Sequence, residues 1–452
     1  MIVMKKNPII LLLIGLLFIG FTACKQVDPS PTPTQAVAAS PGSADFTKYI
    51  SIGNSLTAGF TDGGLYNAGM AVSFPNLLSQ QFAQAGGGTF TQPTFDAGQE
   101  NGSGFLKLTA LPSATNPSPT IVTETSSLGV VGLGANGTTP LLAKYTGSLN
   151  NFGVPGLALA TTTTVGYGFN NPAGFNQYFE RFLGTADATS TYEAFIEANA
   201  ADATFFTFWL GNNDALGYAT SGGVTPITPT ALFTANLKSL LDKMGSKKGV
   251  IVNIGSVTSA AFFTTVTLTS LQAALQAGGA PANTPIWITT GAGTTREATA
   301  EDLFLLGSQT QYGLLGQSTA GTMVGPYGLS SFNPIETQHV LDKDEVAAAN
   351  AAITEFNTAL QAEATARSLA FVDMNATLAT AASATGLTDA VGGLTYNTNY
   401  ITGGLFSLDG IHITPAGNAL VANEIIKAIN STYGATVPLL NPSLYKSVII
   451  SQ

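Results

Sequence analysis

The chain has 452 residues, of which 16 are basic and 26 acidic, giving a formal charge of −10. Only 9% are charged, against roughly a quarter in an average soluble protein, while 45% are hydrophobic. Such a chain is too apolar for disorder, and an acidic balance without a basic cluster lacks the footprint of a nucleic-acid binder. One cysteine allows no internal disulfide, and two histidines leave little for a Cys/His metal centre. The length suits two or three cores, or one core carrying long insertions.

At the N-terminus, Lys5 and Lys6 precede an apolar run from Ile9 to Phe21, followed by Thr22-Ala23-Cys24. A charged start, a short apolar stretch and small residues before a cut describe a secretory signal, too short for an ordinary membrane span. Ending on the only cysteine, the segment resembles a bacterial lipoprotein signal. That resemblance implies removal of residues 1–23 and acylation of Cys24; the alternative is plain secretion with an incidental cysteine. Residues 24–44, rich in Pro, Ser, Thr and Ala, read as an extended tether. The expected location is the bacterial cell envelope, anchored by lipid at the outer membrane, with the periplasmic or surface face left open.

From residue 45 onward, short buried-strand runs alternate with helical patterns. Tyr49-Ile50-Ser51-Ile52 leads straight into Gly53-Asn54-Ser55-Leu56-Thr57-Ala58-Gly59, and a second strand around Leu149 to Phe152 ends in Gly153-Val154-Pro155-Gly156. The third run, Thr204 to Leu210, closes on Gly211-Asn212-Asn213-Asp214; a fourth spans Gly249 to Ile254 and a fifth Leu369 to Asp373. Their continuous rather than alternating hydrophobicity suits a parallel sheet covered on both faces. Thr228-Pro229 predicts a cap and first-turn proline for one helix, with Gly245 as its stop, and Asp342 with Glu345 a capping box for another. Thr414-Pro415 opens the last helix. The alternation predicts an α/β fold. Stretches near 86–147 and 256–340, rich in Gly, Thr, Ser, Ala and Pro, do not fit a minimal unit and read as insertions of short strands and turns.

Carboxyl ends of parallel strands face the ligand crevice, so Ser55 stands where a nucleophile is useful. A serine hydroxyl needs a base, usually a histidine steadied by a carboxylate, and Asp409 lies three residues before His412. Asn213 and the backbone N–H of Gly156 both follow strands and are placed to meet a developing oxyanion. These segments resemble the SGNH hydrolase superfamily, the GDSL esterases and lipases. Its four ordered blocks read here as Gly53 to Gly59, Asn151 to Gly156, Gly211 to Asp214 and Asp409 to His412.

The resemblance implies a flavodoxin-like three-layer α/β/α sandwich with a mainly parallel five-stranded sheet, no metal or organic cofactor, and an active site at the sheet's carboxyl edge. It implies Ser55 as nucleophile, His412 as base and Asp409 as its orienting acid, with Ser55, Gly156 and Asn213 forming the oxyanion hole. Asn54 replaces the Asp of the family's first block, and Gly153 competes with Gly156 for the role in the second. The expected reaction is ester cleavage through an acyl-enzyme, with hydrophobic acyl esters favoured because the nearly uncharged insertions suit an acyl-binding rim. An O-acetyl-glycan esterase, an acyltransferase or a non-catalytic ligand-binding surface lipoprotein are the alternatives.

Plainer readings exist for each residue. Ser55 suits a helix cap, Asn213 and Asp214 suit a turn, and Asp409 with His412 suits a solvated pair. His339 lies in a polar loop and reads as structural. Gly132 to Gly137 spells G-x-G-x-x-G, but no Asp or Glu follows before Glu180 and no helix pattern continues, so it is not a dinucleotide site.

Overall fold

Five buried strands pair side by side in the computed structural model: β1 (Tyr49–Gly53), β2 (Asn151–Gly153), β3 (Phe205–Trp209), β4 (Lys248–Val252) and β5 (Ala370–Val372). All are parallel, in the order β5-β4-β3-β1-β2, with Gly53 of β1 opposite Gly153 on one side and Trp209 on the other. The structure describes residues 38–111, 119–184, 187–318 and 325–448, so the signal expected at 1–23, Cys24 and most of the tether lie outside the described residues. The chain divides into Met1–Ala38 and a unit Ala39–Gln452, and the description below concerns the second. Among the described residues no helix is long and apolar enough to cross a membrane.

Period-two geometry sends alternate residues of each strand to opposite faces, and both faces are covered, which explains the unbroken hydrophobic runs. On one face Ile50, Ile52, Phe206, Phe208 and Ile251 join a core with helices α3 (Tyr192–Asn199), α5 (Thr230–Asp242) and α6 (Lys343–Ala366). Phe233 of α5 stacks on Phe356 of α6 with ring centres 4.0 Å apart. On the other face Tyr49, Phe205, Trp209, Val250 and Val252 meet α2 (Phe74–Gln84) and α8 (Pro415–Tyr433). Each fully buried Leu, Ile or Phe contributes about 1.5–3 kcal/mol by leaving water, so these two layers carry the fold. The result is an α/β/α sandwich.

Local signals set the helix ends. Asp342 accepts the N–H groups of Asp344 and Glu345, and Glu345 returns a bond to the Asp342 N–H, completing the capping box that the spacing predicts. Thr414 caps α8 through the Gly417 N–H, with Pro415 as first residue. Helix α5 starts one step later than Thr228-Pro229 suggests. The Thr228 N–H is held by the Asp214 carbonyl, and Pro229 is extended at ψ 133°, so the proline caps the helix rather than opening it.

Some residues expected in the tether already belong to the folded unit: Ser43 donates to the Tyr433 carbonyl at 2.8 Å and Ala44 is buried. Residues 86–147 carry two antiparallel hairpins, Phe105–Ala110 with Thr120–Glu124 and Val130–Leu133 with Pro140–Leu142. The glycine pattern at 132–137 runs from a strand into a turn, not a strand into a helix. Residues 256–340 build a small core of their own from Ile286, Ile288, Phe304, Tyr327, Ile335 and Val340.

The chain leaves β1 for β2 on one side and then crosses to β3 on the other. That reversal opens a crevice between the carboxyl ends of β1 and β3, where ligands bind in sheets of this order.

Candidate active site

Beyond β1 the chain turns sharply into a one-turn helix, α1 (Ser55–Ala58). The turn is tight enough that a Cβ on Gly53 would lie 2.5 Å from the Trp209 carbonyl oxygen, so glycine is required there. Asn54 caps α1 by accepting the Leu56 N–H, and its side-chain amide donates to Oδ1 of Asn212 at 3.1 Å. Ser55, 7% exposed, is the first residue of the helix, where an N–H has no acceptor within the helix. Among the described residues its Oγ makes no hydrogen bond.

The segment after β3 reaches back toward β2. Asn213 begins α4 (Asn213–Thr220) and donates its side-chain N–H to the Leu157 carbonyl at 2.9 Å. Its neighbour Asp214 is buried and accepts the N–H groups of Leu159 and Ala160 at 2.7 and 3.0 Å. Burial pushes the Asp214 carboxyl up despite these bonds. Two adjacent side chains thus grip the loop that carries Gly156.

The two glycines of that loop differ. Gly153 is buried and its N–H is held by Oδ1 of Asn151 at 2.9 Å. Gly156 is exposed at φ +80°, accepts the Tyr167 hydroxyl on its carbonyl, and donates its N–H to nothing among the described residues. Only the Gly156 N–H is free to take a ligand.

In the loop before α8, Nδ1 of His412 lies 2.8 Å from Oδ2 of Asp409. The other carboxylate oxygen accepts the backbone N–H groups of Ile411 and His412 and the Ser407 hydroxyl. Burial alone would raise the Asp409 carboxyl, but the His412 charge and these bonds outweigh it and hold the group below the ordinary carboxylate range. With Nδ1 engaged, Nε2 makes no hydrogen bond among the described residues, and the Phe60 ring lies against the imidazole with ring centres 4.6 Å apart and planes tilted by 49°.

Ser55, Asn213 and His412 line one pocket. Much of its wall is apolar, including Leu56 of α1, Trp209 at the end of β3, Ala381 of α7 (Met374–Ala382), Leu405 of the loop before α8, and Leu420 and Val421 of α8. Gly156 is not part of that lining, but its loop is tied to Asn213 through Leu157. Val257, Ala260 and Phe263 at the start of the second insertion also line the pocket, whereas most of the wall belongs to the sandwich itself. His339 is elsewhere, with Nδ1 on the Ser308 hydroxyl at 2.9 Å; burial lowers its pKa. Among the described residues no cluster of three or more His, Cys, Asp or Glu side chains is arranged to hold a metal ion.

Two residues of this neighbourhood were not singled out from the sequence. Asp62 and Gly63 form a two-residue turn with φ +51° and +73°, closed by mutual backbone bonds of 3.0 Å between Thr61 and Gly64. Positive φ at both central positions marks a type I′ turn, for which Asp-Gly is a preferred pair. The dipeptide was therefore readable as a turn, but not as a support for Asp409, 346 residues away, which accepts the Gly63 N–H on Oδ2.

The family described as GDSL-like Lipase/Acylhydrolase matches residues 49–425, a span holding all four sequence blocks. No curated protein and no solved structure shows a significant match to the chain.

Proposed function

The chain belongs to the GDSL-like lipase/acylhydrolase family of ester-acting hydrolases, and from that premise we propose that it is a serine esterase working through an acyl-enzyme. The observation that carries this reading is the imidazole of His412, held at Nδ1 by Asp409 and lining the pocket that Ser55 and Asn213 also line.

In this reading Ser55 Oγ attacks the ester carbonyl carbon while Nε2 of His412 takes its proton. Asp409 keeps the Nδ1–H tautomer and steadies the imidazolium. The negative charge on the former carbonyl oxygen is met by the N–H groups of Ser55 and Gly156 and by the Asn213 amide. Collapse breaks the ester C–O bond, and His412 gives the proton to the departing alcohol. A water, deprotonated by His412, then attacks the acyl-enzyme, releasing the acid and restoring Ser55.

Hydrophobic acyl esters are the substrates that the pocket favours. A chain attached to Ser55 finds Leu56, Trp209, Leu405 and Leu420 around it, and burying methylenes there is worth about 0.8 kcal/mol each. An acetylated glycan would leave this wall unused. Acyl transfer uses the same residues with an alcohol in place of water, and product analysis with an added acceptor separates the two.

A fluorophosphonate probe tests the reading. Wild type should be labelled and should hydrolyse p-nitrophenyl esters from acetate to long chains, while Ser55→Ala should lose both activities. Turnover that survives in Ser55→Ala would remove Ser55 from the role of nucleophile, and a wild type that is neither labelled nor active would leave a ligand-binding protein on this scaffold instead. Export and anchoring through Cys24 belong to the same proposal. Metabolic labelling with a fatty acid should mark the wild type and not Cys24→Ser; equal labelling of both would remove the anchor.

A further inference from the structure

We propose that Asp62 is a positioning residue for the Asp409–His412 pair, seating the loop that carries the acid and adding a second buried carboxylate beside it. The inference rests on the esterase reading above.

Three bonds join Asp62 and Gly63 to the C-terminal loop. The Asp62 N–H donates to the Ser407 hydroxyl at 3.0 Å, and Oδ1 of Asp62 accepts the Leu408 N–H at 3.0 Å. The next residue, Gly63, donates to Oδ2 of Asp409 at 2.7 Å. Ser407 in turn donates to Oδ1 of Asp409, so the turn reaches the acid both directly and through Ser407. The second Asp62 oxygen accepts the Tyr66 hydroxyl at 3.0 Å.

A turn former alone does not account for this residue. Asn or Gly satisfies φ +51° without charge, and turn carboxylates ordinarily face water. Asp62 is instead 3% exposed, and among the described residues no Lys or Arg pairs with it. Burial pushes its carboxyl up to about 6, with Asp409 adding to the rise and His412 opposing it. The groups facing it are Tyr66 from its own segment, Asp409 and His412 from the loop before α8, and the Tyr400 hydroxyl, which is bonded to the Leu408 carbonyl. The only one of these that becomes cationic during turnover is the imidazole. A buried charge held at this cost favours the imidazolium that forms when His412 takes the proton from Ser55.

The variant Asp62→Asn separates charge from anchoring, since Asn suits a positive φ and its amide oxygen can still accept the Leu408 N–H. The chain has only two histidines, so the ring signals of His412 and His339 can be followed separately by NMR across pH. In Asp62→Asn the His412 titration and the acid limb of kcat/KM should both move to lower pH, by about half a unit or more, with His339 unmoved. A merely structural role would lower the rate at every pH and leave both midpoints in place, and that result overturns the proposal. If Asp62→Asn does not fold, Tyr66→Phe serves instead. It removes a donor that favours ionised Asp62, so the limb should move the same way by less, and an unmoved limb again overturns the proposal. Fluorophosphonate labelling of wild type is measured first, so that failure of the esterase reading shows there and not in the variants.

Discussion

Gly63 donates its backbone N–H to the same Asp409 oxygen that faces His412, at 2.7 Å against 2.8 Å for the imidazole. The Asp409 carboxylate is therefore fixed from two sides, by the imidazole of His412 and by the turn a few residues after Ser55. Ser55 and Asp409 lie far apart in the chain, yet this short turn couples the two loops that carry them.

Asp409→Asn should lower kcat by about 10⁴-fold with little change in KM, because an amide facing Nδ1 favours the wrong imidazole tautomer. Its oxygen can still accept an N–H from Ile411 or His412, so the fold should survive. Steady-state rates beside a circular-dichroism melt check both statements; a loss below tenfold removes Asp409 from the role of orienting acid.

Asn213→Ala should lower kcat by roughly 10²–10³-fold, the usual worth of one oxyanion donor. It also frees the Leu157 carbonyl, so the loop bearing Gly156 loses one of its ties. The contribution of that loosening can be read from Asp214→Asn, which disturbs the Leu159 and Ala160 contacts but leaves the Asn213 amide. If Asp214→Asn costs as much as Asn213→Ala, the asparagine acts by holding the loop rather than by donating to the substrate.

Ala381 is fully buried in α7 and lines the pocket. If the pocket takes the acyl chain as proposed, Ala381→Phe should fill part of it, lowering the ratio of long-chain to acetate kcat/KM by about 10- to 100-fold. An unchanged ratio across an ester series from acetate to long chains would mean that the acyl group takes another route.

Asp62 also has a stability signature. With its folded-state pKa raised to about 6 from an ordinary 3.8, the folded chain keeps a proton that the unfolded chain has lost. Stability contributed by this group is greatest below the unfolded value and falls as pH rises from about 4 to 6, because there the unfolded state binds fewer protons. Above that window the penalty reaches roughly 3 kcal/mol. Asp62→Asn should therefore melt at higher temperature than wild type at pH 8 and show no such gain at pH 4, as differential scanning calorimetry can determine. Gained stability with an altered rate profile would place the charge among features kept for activity rather than for folding.

Much of the architecture was legible because it depends on short-range chemistry. Five hydrophobic runs, a capping box at Asp342 and Glu345, and a threonine–proline start at Thr414 are local signals, and parallel pairing follows from runs apolar on both faces. The four ordered blocks marked Ser55, Gly156, Asn213, Asp409 and His412 as candidates and brought the family into view. Other relationships exist only between segments distant in sequence. Which of Gly153 and Gly156 keeps an unbonded N–H turns on which one Asn151 has already taken. Residues expected to form an acyl rim in the insertions contribute only part of the pocket, since strand ends and helices α7 and α8 converge there once the sheet is built. The Asp-Gly turn announced its backbone shape in the sequence, but what it holds was hidden. A hydrogen bond across 346 residues leaves no periodicity or spacing to read, and only the folded chain brings its two ends together.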